Sequence, residues 1–134
     1  MSAPKVVAIV PVEDASRSIV RPDGRYSLQQ VLYDIYAPSF PARVAQLAVV
    51  IVFVGGVGHF EGRMIVEGPD TTAIAESVFA FDAQTYYLHI CSIAGVVLPA
   101  AGTYRFVVEL EGQAIADAPL SVVQLQNNPG VGVV

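Results

Sequence analysis

The chain of 134 residues contains no tryptophan, one cysteine and two histidines, and only 14% of its residues are charged. Each scarcity excludes something. A single cysteine, Cys91, rules out an internal disulfide. Two histidines, His59 and His89, are too few for a histidine-rich metal site, since a structural zinc needs four ligands and a catalytic one three. The lack of tryptophan removes the residue best suited to stacking on sugars and cations. Few charges and an apolar fraction of 54% are the opposite of a disordered composition.

The charges that exist are mostly acidic. Residues 1–43 hold five basic and four acidic side chains, whereas residues 44–134 hold two and eight. A body of this sign repels phosphate, so nucleic acid is not an expected partner. Lys5, Arg17, Arg21 and Arg25 cluster early, but Glu13, Asp14 and Asp23 lie among them, which reads as a solvated loop of mixed charge. Val44 to Gly58 is an uncharged run of 15 residues, short of the roughly 20 that a bilayer helix requires. The apolar stretch before Pro11 is too short for a secretory h-region. A cytoplasmic protein without membrane attachment is the expectation.

What the sequence has in quantity is β-branched and aromatic runs cut at short intervals by glycine and proline, the pattern of a sandwich or barrel. Strands are expected over Lys5–Val10, Val44–Val54, Phe60–Val66, Ala73–Phe81, Tyr86–Ile93 (with a looser run to Leu98), Thr103–Glu111 and Ala114–Val123. Tyr26–Tyr36 fits a helical stripe and an alternating strand, and is read as a strand because its flanks look like sheet. Glu111-Gly112 marks a tight hairpin. Asp117-Ala118-Pro119 interrupts the last strand as a bulge or edge position would. The fold expected is all-β: an antiparallel two-sheet sandwich of seven to nine strands, one domain over residues 1–126, followed by an apolar tail at 127–134.

Two resemblances bear on this. Gly102-Thr103-Tyr104 ahead of an alternating strand resembles the tyrosine corner of immunoglobulin-like sandwiches, in which a phenol ties a crossing loop to nearby backbone; Phe106 stands where antibody domains carry cysteine. More widely, Asp23-Gly24, Ser27-Leu28, Ile35, Ala37-Pro38, Phe40-Pro41, Gly56-x-Gly58, Pro69-Asp70, Gly102-x-Tyr104 and Glu111-Gly112 resemble a family of small bacterial proteins of unknown function. That resemblance implies a sandwich and a strand over Tyr26–Tyr36, while Gly102 and Tyr104 at the corner and Gly112 at the hairpin are candidate structural residues. It implies no activity.

The residues themselves offer no constellation for chemistry. Gly55, Gly56 and Gly58 lead into an alternating strand, whereas a phosphate loop opens a helix. His59 and Glu61 share a strand face, as do His89 and Cys91, but a reactive thiol needs an electropositive setting that Ile90, Ser92 and Ile93 do not provide. No nucleophile elbow is present. Glu109 and Glu111 lie side by side, not opposed across a cleft, and Asp70 with Thr71 and Thr72 is too sparse for calcium. No catalytic residue, cofactor or metal is therefore expected. The leading expectation is a non-catalytic structural or protein-interaction module that self-associates. A small-ligand or carbohydrate binder using Tyr26, Tyr33, Tyr36, Tyr86 or Tyr87 is the alternative, and a hydrolase the third. Val44–Val54 is apolar on both faces, and Leu47, Val49, Ile51 and Phe53 on one of them are candidate interface residues.

Overall fold

A computed structural model describes residues 2–12, 19–20, 26–27 and 34–125. Its strands are β1 (Lys5–Val12), β2 (Ile19–Val20), β3 (Tyr26–Ser27), β4 (Asp34–Ala37), β5 (Ala42–Val54), β6 (His59–Glu67), β7 (Ala73–Asp82), β8 (Tyr86–Leu98), β9 (Gly102–Leu110) and β10 (Gln113–Gln124). No helix occurs among the described residues.

Eight strands form two sheets, ordered β1-β5-β8 and β4-β10-β9-β6-β7, and β2 and β3 pair as a small separate ribbon. All pairs are antiparallel except β4 on β10. The all-β two-sheet expectation holds, with that one parallel pair as the departure. Within the expected strand Tyr26–Tyr36, the described residues at both ends are strand, in β3 and β4; residues 28–33 lie outside the described residues, as does the expected tail at 127–134.

Alternation explains the packing. From β5, Leu47, Val49, Ile51 and Phe53 point between the sheets, where they meet Phe60, Met64 and Val66 of β6, Phe79 and Phe81 of β7, the alternating set Tyr104, Phe106, Val108 and Leu110 of β9, and Leu120 and Val122 of β10. The opposite face of β5 is apolar too. Ala48 and Val50 join Val12 in a second buried cluster, flanked by Val10, Leu88 and Ile90. A strand buried on both faces has no use for polar side chains, and β5 has none between Leu47 and Val54.

The last strand carries a proline within its ladder. The register of β10 on β9 shifts between Ala114 and Ala116, and Pro119 lies opposite Arg105 of β9. Among the described residues β4 pairs with β10 over Ser121–Gln124.

Candidate functional site

The outward face of the five-stranded sheet carries most of the polar chemistry. His59 opens β6 opposite Asp82 of β7. Its Nδ1 lies 2.8 Å from an Asp82 carboxylate oxygen, and its Nε2 lies 3.6 Å from Glu61. The hydrogen bond to Asp82 is the main cause of an imidazole pKa above its ordinary value. The alternation that put His59 and Glu61 on one face is thus seen in the structure. Asp82 was not legible as a partner, because only the β6–β7 register brings it opposite.

Two residues along the same face, Arg63 reaches Glu109 at 2.9 Å and Glu76 at 3.1 Å. Arg105 is ion-paired with Asp117. Glu111 accepts the backbone N–H of Glu61 at 2.8 Å. Glu109 and Glu111, side by side as alternation requires, are therefore each committed to a different partner. Across one sheet face this is a set of cross-strand pairs, with no two carboxylates opposed over a gap.

The inward histidine is different in kind. His89 stacks on Phe79 with ring centres 4.2 Å apart, and its Nδ1 lies 3.2 Å from the Tyr87 hydroxyl. Burial lowers its pKa. Cys91, two residues on, is buried, and burial pushes its thiol up to about 11 despite a hydrogen bond with Ser77. A thiol so held is protonated at neutral pH, so it lacks the thiolate that nucleophilic chemistry uses.

The three structural residues read from sequence sit where the turns need them. Glu111 and Gly112 have φ of 51° and 78° between β9 and β10, the positive pair of a type I′ hairpin. Gly102 has φ of 144°, and a Cβ there would lie 2.8 Å from Pro69 Cγ in the β6–β7 turn. Tyr104 is fully buried, and its hydroxyl bonds to Ala100 backbone. The glycine run at 55–58 is a connection between β5 and β6, tied by the Gly55 N–H to the carbonyls of Gln84 and Thr85. Asp70 accepts the Thr72 N–H within its turn, which lowers its pKa.

Leu47, Val49, Ile51 and Phe53 are each at most 1% exposed in the single chain. The chain's own second sheet covers them, so they leave no surface for a partner. Exposed apolar side chains lie elsewhere. Tyr36, Val123 and Leu125 are 57%, 39% and 50% exposed. Tyr36 is directly opposite Val123 in the β4–β10 pair, and the Leu125 N–H bonds to the Ala37 carbonyl, so the three share one edge of the larger sheet. Sequence reasoning missed this patch, because nothing in the pattern shows that β4 returns to pair with β10.

Of the tyrosines considered for a pocket, Tyr36 and Tyr86 stand on different sheets and Tyr87 packs inward on Phe81, while Tyr26 and Tyr33 lie beyond the described side chains. Three clefts lined by described residues have volumes of 160 to 190 Å³, below the ~300 Å³ where small-molecule sites begin. Among the described residues no group of three His, Cys, Asp or Glu side chains is placed to hold a metal ion, and no helix is long and apolar enough to cross a membrane.

The model of a family of unknown function, DUF6941, matches residues 17–123, most of the chain. A comparison with curated proteins finds no match.

Proposed function

The chain belongs to this family of unknown function, and from that premise we propose that it is a non-catalytic structural or protein-interaction module that associates with a second copy of itself. The observation that carries this reading is the Tyr36, Val123 and Leu125 patch: an aromatic and two aliphatic side chains exposed together at a sheet edge. Tyrosine flanked by aliphatics suits a protein interface core, which is depleted in charge and enriched in aromatics, and symmetric pairing of one such patch with its copy is the commonest way to cover it. The reading is also supported by the polar groups of the larger sheet, which are spent on one another. A cytoplasmic setting belongs to the same proposal and rests on the single, buried thiol.

Light scattering through a micromolar dilution series tests it. The expected result is a mass of two chains that falls to one with Tyr36→Lys or Val123→Lys, both on exposed positions that leave the core intact. A wild-type mass of one chain at every concentration overturns it.

A further inference from the structure

β7 and β8 are joined by only three residues, 83–85, the length of a hairpin loop, yet they belong to different sheets. Among the described residues β7 is paired with β6 and β8 with β5, and no backbone ladder joins β7 to β8. They meet instead through side chains. Phe81 stacks on Tyr87 with ring centres 4.7 Å apart and planes within 6°. Phe79 stacks on His89 at 4.2 Å. One step further, Ser77 is hydrogen-bonded with Cys91. Each pair steps two residues back along β7 and two forward along β8, so the three form one antiparallel row. Side chains close this corner of the sandwich where a hairpin would have a ladder.

His89 is the middle member of the row. The Tyr87 hydroxyl lies 3.2 Å from its Nδ1, a hydrogen bond whose donor is set by the ring tautomer. On β7 the residues facing it are Ser77, Phe79 and Phe81. The carboxylates of that strand, Glu76 and Asp82, lie on the other face with Arg63 and His59. On β5 its neighbours are Ile51, directly opposite, with Val49 and Phe53 on the same face, and β6 contributes Phe60 and Met64 to the same core. The titratable groups beside it are Tyr87 and Cys91 of its own strand. No carboxylate among the described residues faces it to balance a positive charge.

We propose that the β7–β8 corner is a proton-sensitive seam: charging His89 separates β7 from β8 and opens the edge of the sandwich above Cys91, while the β5–β8 and β6–β7 ladders stay paired. The inference is independent of the self-association reading. Its sign follows from linkage. An opened, solvated His89 protonates near the ordinary imidazole value of about 6.5, and burial holds the closed-state value lower. The open form therefore binds protons more tightly, so the seam is closed above that value and loosens as pH falls below it. Cation–π attraction to the buried Phe79 ring opposes this and reduces the size of the effect.

Cys91 serves as the reporter. Its labelling rate with a dipyridyl disulfide is measured from pH 8 to pH 5 and divided at each pH by the rate for the urea-unfolded chain, which cancels thiol ionisation and reagent chemistry. The expected ratio rises as pH falls below 7, up to about tenfold for each unit separating the open and closed values, with β-sheet dichroism unchanged. His89→Gln, or His89→Phe if the first does not fold, gives a flat ratio, and a proton NMR titration places His89 below 6.5. A flat wild-type ratio, the same rise in the variant, a rise accompanied by loss of dichroism, or a His89 titration at or above 6.5 would each overturn the seam.

Discussion

The hydroxyl of Tyr104 donates to the carbonyl of Ala100 at 2.5 Å, and the N–H of Ala100 reaches back to the same oxygen at 3.3 Å. One phenol thus closes the three-residue connection, 99–101, that carries the chain from β8 into β9. The ring is fully buried while Ala100 lies at the surface, so the side chain anchors an exposed loop to the core. Gly102 lets that loop pass Pro69 of the β6–β7 turn at a distance no Cβ would permit.

Removing only the hydroxyl tests the anchor. Tyr104→Phe keeps the ring in the core and loses both bonds to Ala100. Because water can reach the freed carbonyl, the expected cost is about 1 kcal/mol. In urea unfolding the midpoint should fall with the slope unchanged. An unmoved midpoint would mean that the hydroxyl gains nothing from Ala100.

Much of this was legible from residue order alone. Alternation placed Tyr104, Phe106, Val108 and Leu110 on one face of β9, and all four are buried. Pro, Gly and Asp marked the turns, and Glu111-Gly112 fixed a hairpin by needing positive φ. Pairing between distant strands was not legible, since period-two patterns say which face is inward but never which strand is the neighbour. For that reason His59 was read with Glu61 but not with Asp82, and Leu47 to Phe53 were considered for an interface although β6, β7, β9 and β10 already cover them.

The buried thiol gives a second prediction. Cys91 is 1% exposed and its pKa lies near 11, so both access and ionisation oppose reaction. At pH 8 native labelling should be at least about a hundredfold slower than labelling of the unfolded chain, since each pKa unit above the ordinary value alone removes a factor of ten in thiolate. Equal rates would show that the thiol is open to solvent.

His59 and His89 should respond to pH in opposite directions. His59 has its pKa raised, first by the hydrogen bond to Asp82. Its contribution to stability is therefore fully present below the unfolded value of about 6.5 and is lost as pH rises through the higher folded value. The pair is exposed and the effect small, so the measurement is a difference: wild type minus Asp82→Asn, by urea midpoint from pH 5 to pH 9. The gap should be widest at the acid end and close at the alkaline end. A gap that widens with pH would reverse the assignment.

Gly62 and Phe79 are cross-strand partners in the β6–β7 pair, and the Phe79 ring lies over the bare backbone of Gly62. A Cβ at position 62 would stand 2.4 Å from that ring. Phe79 in turn packs against Phe53, Phe81 and His89, so a shift of its ring disturbs three neighbouring rings. Gly62→Ala adds one methyl group to a filled space, and overpacking of this kind costs about 1–3 kcal/mol, against the ~0.4–1 kcal/mol that alanine's lower unfolded-chain entropy returns. The diagnostic is a double-mutant cycle. Phe79→Leu alone should destabilise by opening a cavity, but in that background Gly62→Ala should cost far less, giving a coupling energy of about 1 kcal/mol or more between residues in contact. Strict additivity of the two changes would show that the ring does not occupy the glycine's place, and that Gly62 is set by backbone geometry alone.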